Sequence, residues 1–429
     1  MIRSDLVKPA SELLRPKPQR TVLRPFRVAG PENEGLKDGR TARIIQRVLA
    51  LEPDRRDAEL TALVSALDRR HDNVAETLDR RFLELKTRFE GRLDLDGRQG
   101  RLVAAFLTEE YSIEAAALFN PSAVPHFDQS GIGEGCTRFI VSLRGVGEGH
   151  VSSLLFQTAV WNADGTVTLD ERGPCAVGPE VALPAEGSSK RTAELDFREG
   201  PIGERVIYPF LPSQGRGLED ARFCLFTGDD GSSFYRGTFT AFDGQQTRQA
   251  VLRTNDFRHL VARRLDGDLA FTKGAAWFPR RIDGRYAMLG RLDEESIYLF
   301  SSEDPDDWRG GRKIIAPCFG WEAVQMGNCG SPIEIDEGWL VLTHGVGQAR
   351  TYSMGAAILD RNDPSKVLAR TPEPILRPCD DEQGGYVPNV VYSCGGFVRE
   401  RTLLLPYAVA DNYAGIGTVE LGELLSAMM

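Results

Sequence analysis

The sequence predicts a mainly β protein, a five-bladed β-propeller with an N-terminal α-helical extension. Three observations carry this. Hairpin signatures crowd residues 120–411, where short runs of Val, Ile, Phe, Tyr and Trp alternate with turns such as Asp-Gly and Asp-Asp-Gly. Helical periodicity is nearly absent from that stretch. So much antiparallel structure must close or stack to hide its edges, and a sandwich of about 100 residues is too small to hold it. At about 40–60 residues per blade, about five blades fit.

Residues 1–37 are rich in Pro and Arg and read as an extended arm, in which "TVLRPFRVA" (21–29) can add a strand. Residues 38–114 form the helical extension. There Leu60, Val64, Leu67, Val74, Leu78, Phe82, Leu85 and Phe89 recur at three- and four-residue steps, with His71 completing the stripe. The spacing predicts one helix from about Asp54 to Glu90, roughly 50 Å long, with Pro53 in its first turn. "RLVAAFLTEEYSIEAAALF" (101–119) reads as a further helix. The stripe needs cover, either within the chain or along a coiled-coil seam, and a homo-oligomer through these helices is expected. Residues 115–429 are the propeller, with hairpins such as "RFIVSLRGV" (138–146), "IEIDEGWLVLTHGV" (333–346) and "PNVVYSCGGFVRERTLLLPYAVAD" (388–411).

Composition removes several function classes. The net charge of −10 argues against a nucleic-acid or anionic-membrane binder. No apolar run reaches about 18 residues, so no membrane span is expected. The first twenty residues lack an apolar core, so no secretory leader is expected. The seven cysteines are scattered without a CxxC pair, which reads as reduced thiols in the cytoplasm rather than disulfides or a zinc ribbon. The five histidines form no HExxH. No metal or cofactor is expected, inorganic phosphate being the one co-substrate to consider.

The chemistry concentrates in "GLEDARFCLFTGDDGSSFYRGTFTAFDG" (217–244), where Glu219 and Asp220 precede Arg222 at a strand start. In a propeller, inner-strand ends from different blades meet in one funnel. Asn120, Ser122, Arg144, Lys273, Arg291, His344 and Asp411 stand at such ends. A carboxylic acid among cations, hydrogen-bonding groups and aromatics suits carbohydrate chemistry. Taken singly these residues have plainer readings. Glu219-Asp220 is a surface turn, Lys273 a solvated lysine, His344 a satisfied core histidine and Asp243 a hairpin residue. Trp161, Trp277 and Trp321 are more often core than sugar platforms.

The blocks "GLEDARF", "YRGTFTAFDG", "KGAAWFPRRIDGRYAMLGR", "GWLVLTHGV" and "LLLPYAVAD" occur in this order. Over residues 115–425 the chain resembles glycoside hydrolase family 130, the β-mannoside phosphorylases and β-1,2-mannosidases. The resemblance implies a five-bladed propeller and an inverting mechanism. It makes Asp220 the general acid, with Glu219 and Arg222 flanking it; Ala221 stands where the family has Pro. It gives Asn120, Ser122, Arg144, Asp411 and His344 to the substrate, with Asp243 a lesser sugar contact. Phosphorylases of the family gather cations for phosphate; Lys273, Arg291 and Arg248 are the candidates here. The family's His before Arg291 is replaced by Gly290, the pair after "TAFD" is Gly244-Gln245, and "MGNCGSP" (326–332) replaces a more basic block. This weakened cradle favours water, hence hydrolysis of β-1,2-linked mannooligosaccharides, with Glu294, Glu295 or Glu322 as general base. The alternatives are a phosphate-dependent β-mannoside phosphorylase and a non-catalytic glycan-binding propeller.

Overall fold

The computed structural model describes residues 2–26, 39–89, 93–173, 175–184, 192–379 and 385–429. They form two compact units. One holds residues 18–113 with 173–176, the other residues 1–17, 114–172 and 177–429.

The first unit is mostly helical. Its helices are Arg40–Leu49, Pro53–Leu67, Val74–Arg88 and Gly97–Phe106. The single long helix expected from Asp54 onward is therefore two. Asp68 caps the first, and Asn73 takes a left-handed φ of 53° before the second, a conformation that Asn tolerates better than most residues. Glu90 lies outside the described residues. The break lets both apolar faces meet one core: Leu60, Leu67, Val74, Leu78 and Leu85 pack with Leu102, Val103 and Leu107. The stripe is thus covered within its own chain and no longer calls for a second subunit.

The helix expected over 101–119 is also corrected. It stops at Phe106, and Thr108–Ser112 forms an antiparallel strand with Thr21–Pro25. Tyr111 is buried there with the Arg24 guanidinium 3.4 Å from its ring centroid. Tertiary pairing outweighs the local helical pattern. Of the rest of the expected 21–29 strand, Phe26 lies beyond its end and residues 27–29 lie outside the described residues.

The second unit is mainly β, and its main sheets, of eleven, four, five and five strands, divide into five successive antiparallel groups when the largest is split at its one parallel pair. The first contains Ala117–Pro125, Thr137–Val146 and Ser152–Trp161. The second is built on Gly217–Thr227 and Ser233–Phe242, and joins the first through one parallel pair, Gly217 with Ser152. The third starts at Ala276–Trp277, the fourth at Gln325–Asn328 and the fifth at Val391–Tyr392. Lys8–Pro9 adds an outer strand to the fifth group, beside Tyr413–Glu420, so part of the expected arm is woven into a sheet. The fifth group also returns to the first: Leu118 N–H donates to Asn412 O at 2.8 Å, and Cys394 N–H to Pro121 O at 2.8 Å. Trp161 and Trp277 are fully buried, as core residues are.

Candidate active site

Two β-bulges build the centre of the site. The register slips between Phe119 and Ser122 in one strand and between Glu219 and Arg222 in another. At each slip one residue turns left-handed, Asn120 at φ 48° and Asp220 at φ 54°. A bulge re-aims a side chain, and here the two meet: Asn120 Nδ2 donates to Asp220 Oδ1 at 2.7 Å. Arg144 lies opposite Phe119 on the neighbouring strand. Its Nη2 donates to Glu219 Oε1 at 2.8 Å, its Nη1 lies 3.6 Å from Asp220 Oδ1, and its Nε donates to Ser152 Oγ at 2.9 Å. Lys273 Nζ reaches Glu219 Oε2 at 3.4 Å.

The electrostatics follow from this arrangement. Burial alone would raise the Asp220 pKa, but Arg144, Arg222, the Asn120 hydrogen bond and Lys273 outweigh it and hold the carboxyl below its usual value. Asp411 goes the other way. Burial first, and the Asp220 charge second, push it up to about 6 against Arg144 and Arg350.

Arg291 approaches through space left by two glycines. A side chain at Gly327 would begin 3.0 Å from Arg291 Cδ and 2.6 Å from His344 Cε1; one at Gly274 would begin 3.3 Å from Arg291 Nε. Arg291 has no carboxylate within ion-pair distance among the described residues. Asn328 donates through Nδ2 to Gly274 O at 2.9 Å. Its Oδ1 is buried without a partner, as are Asn120 Oδ1 and His344 Nδ1. The His344 ring sits 4.9 Å from Tyr392, edge to face. Burial, with Arg291 and Arg222 nearby, drives its pKa well down, so the ring is neutral.

The other sequence candidates fall elsewhere or serve as supports. Arg222 is buried, and its guanidinium donates to Asp220 O, Cys329 O and the Tyr392 hydroxyl. It is a strut beneath the site. Ser122 Oγ accepts from Phe223 N–H at 3.3 Å. Asp243 caps its own turn by accepting from Gln245 and Gln246 N–H. Arg248 pairs with Gln246 and lies 4.8 Å from the Phe271 ring centroid. Glu294 and Glu295 are exposed on a turn. Glu322 is fully buried, with its carboxylate taken by Arg370 and the Cys318 and Phe319 amides. A histidine in place of Gly290 would require Leu269 to shift, since a Cβ there would begin 2.3 Å from Leu269 Cδ1.

Sequence reasoning missed Asn328, which lies inside the block read as a loss of basic residues. It also missed Arg350. An internal signal marks that position: "RGVGEGHV" (144–151) and "HGVGQART" (344–351) match at an offset of 200 residues.

Clustered carboxylates and cations lie among buried polar atoms without partners, an arrangement that can hold a polar ligand and move a proton. Comparison with known proteins gives the chain a family. A family model described as beta-1,4-mannooligosaccharide phosphorylase matches residues 204–429. A 1,2-beta-oligomannan phosphorylase of Thermoanaerobacter sp. (strain X514) is 34% identical over 215 residues, 49% of this chain and 70% of that protein. A beta-1,2-mannobiose phosphorylase of Listeria innocua serovar 6a is 34% identical over 228 residues, 51% of this chain and 62% of that protein. The chain belongs to glycoside hydrolase family 130. Its fold is similar to the Listeria innocua enzyme solved with beta-1,2-mannobiose, at TM-score 0.51 and 24% identity over 74% of this chain and 92% of that one. It is also similar, at TM-score 0.53 and 20% identity over 72% and 86% of the two chains, to a structure reported for the family's hydrolases that target beta-1,2 mannosidic linkages in Candida mannan.

Proposed function

We propose that the chain is an inverting β-mannoside phosphorylase acting on β-1,2-linked mannooligosaccharides, on a five-bladed propeller scaffold. The five antiparallel groups and the hydrogen bonds from the last group to the first support the scaffold. A crystal structure with a gap between those two groups would remove it. The expectation of hydrolysis gives way, because the two relatives at 34% identity both carry phosphorylase names, while the hydrolase structure is only 20% identical.

The observation that carries phosphorolysis is Arg291. Two glycines make room for it and no carboxylate among the described residues pairs with it, while Lys273 stands close to the same centre. A partly buried guanidinium without a counter-ion favours an anion. Phosphate between Lys273 and Arg291 also serves the acid. In the free protein the surrounding cations hold the Asp220 carboxyl below its usual value, which favours the ionised form over the proton donor. A bound anion offsets the cations around it and raises its pKa. Water as nucleophile brings no such charge.

In this mechanism Asn120, Asp411 and Arg144 hold the mannosyl unit. A phosphate oxygen attacks the anomeric carbon from the face opposite the glycosidic oxygen. The C–O bond breaks, its electron pair goes to the leaving oxygen, and Asp220 supplies the proton. The product is α-mannose 1-phosphate plus the shortened sugar.

The test is incubation with β-1,2-mannobiose with and without phosphate, followed by NMR of the anomeric protons. Phosphate-dependent release of α-mannose 1-phosphate is expected. Release of two mannose molecules at the same rate without phosphate would restore hydrolysis.

A further inference from the structure

The matched segments fold alike. In each, a strand ends in a loop that turns back to the next strand: Gly147 N–H donates to Val151 O at 3.1 Å, and Gly347 N–H to Thr351 O at 2.9 Å. Both loops carry two consecutive left-handed residues, Gly149 and His150 at φ 68° and 57°, and Ala349 and Arg350 at φ 51° and 56°. Only Gly149 is a glycine. Left-handed backbone at His150, Ala349 and Arg350 is costly, and such strain concentrates at functional sites. The strand before each loop carries a residue of the catalytic cluster, Arg144 in one case and His344 in the other.

A third segment, residues 385–390, lies between the loops. Its Asn389 O accepts from Tyr352 N–H at 2.9 Å, beside Arg350. At its other end the Tyr386 ring meets the His150 ring, with centroids 5.6 Å apart. It is seated on the residue before Asp411. Val387 N–H donates to Ala410 O at 3.2 Å, and a Cβ on Gly385 would lie 2.3 Å from Ala410 Cβ. Tyr386 is nevertheless 63% exposed. Phe127 and Phe271 are exposed to a similar degree, 51% and 59%; what sets Tyr386 apart is its place next to Gly385, which packs against Ala410 beside Asp411, and there its ring offers a flat apolar face to a ligand.

We propose that Tyr386, with His150 and Arg350 from the two matched loops, forms a rim subsite for the sugar units on the leaving-group side of the scissile bond. The proposal rests on the mannoside reading above. Tyr386 presents its ring to the C–H face of a pyranose. Arg350, exposed and without a carboxylate in ion-pair contact among the described residues, donates to its hydroxyls. The deep site would hold one mannosyl unit and the rim would read the chain beyond it.

Binding separates this proposal from catalysis. Titrations of Asp220→Asn protein without phosphate, read by NMR, would use mannose and β-1,2-mannotriose as probes. Adding Tyr386→Ala is expected to weaken mannotriose at least tenfold and leave mannose within twofold, whereas Tyr386→Phe keeps both. Unchanged mannotriose affinity, an equal fall for both sugars, or no mannotriose binding before Tyr386 is altered would each overturn the subsite. A wild-type protein that cleaves no mannoside, yet binds mannotriose through Tyr386, would sink the catalytic reading and leave the subsite standing.

Discussion

Two buried histidines, one in each unit, sit in opposite kinds of surroundings. His71, in the helical unit, has its Nε2 2.8 Å from Glu110 Oε1 and 3.2 Å from Thr21 Oγ1. Glu110 also accepts from Thr21 Oγ1 at 2.8 Å and from Arg70 Nη2 at 2.6 Å. Donors and acceptor close on one another. His344, in the β unit, keeps Nδ1 buried and unpartnered, and Asn120 and Asn328 near it each keep an orphaned oxygen. An unsatisfied buried polar atom costs about 1–3 kcal/mol. Three around one centre are tolerable when a ligand completes them. Buried polar atoms without partners also occur at core residues such as Trp161 and Trp277, so it is their grouping beside the charged Asp220 centre that supports a ligand there.

The comparison breaks most visibly at Asp220. If its cluster works on a ligand, Asp220→Asn should leave the fold intact and cost about 10²–10⁴ in turnover. Mannosides with strongly acidic leaving groups should recover much of the rate, since their departure needs no proton. Steady-state kinetics on mannobiose and an activated aryl β-mannoside would check this. Turnover of mannobiose at the wild-type rate would remove Asp220 from the role of acid.

Much of this candidate site was legible because its residues lie at or near the ends of β segments that the sequence marks with turns, Glu219 at the start of Gly217–Thr227 and Arg144 near the end of Thr137–Val146. Glu219, Asp220, Arg144 and Lys273 were all found that way. Two things were hidden. The gain from Gly327 and Gly274 is the absence of a side chain, which looks like a lost basic block until Arg291 is seen filling the space. Partnering was hidden as well. Arg222 and Glu322 carry the right charges, but burial among other groups makes them supports. In the fold, hairpin density predicted the mainly β unit. The helix break before Val74 was missed because an apolar stripe continues across it, and Thr108–Ser112 was missed because its strand partner lies more than eighty residues away.

Asp411 sharpens the contrast within the site. Its pKa, raised to about 6, means that the folded state prefers the protonated acid. That preference stabilises the protein fully below the ordinary carboxyl pKa and is lost as pH rises through 6. Asp411→Asn removes a strained charge. It should stabilise the protein by about 1–3 kcal/mol at pH 8 and by little at pH 4, while mannoside turnover falls. Thermal melts at the two pH values read the difference. An equal effect at both would mean that Asp411 titrates as an ordinary surface acid.

Glu110 is displaced in the opposite direction, and the smallest effect is expected there. The Arg70 hydrogen bond comes first among the causes; with His71 and Thr21 it outweighs burial and lowers the pKa to about 2. The stability this represents is present above the ordinary glutamate pKa and is lost as pH falls toward 2. The side chain of Glu110 is 25% exposed and that of Arg70 46%, so solvent screens part of the pairing. Glu110→Gln keeps an acceptor for Thr21 but loses the charge that Arg70 answers. It should cost about 1–2 kcal/mol at pH 7 and clearly less at pH 2.5, and the KM for mannobiose should not move. Urea unfolding followed by circular dichroism at 222 nm, alongside that KM, gives both readings. A raised KM with unchanged stability would mean that a closed cluster can serve a ligand after all, and that orphaned polar atoms are not what distinguishes the site.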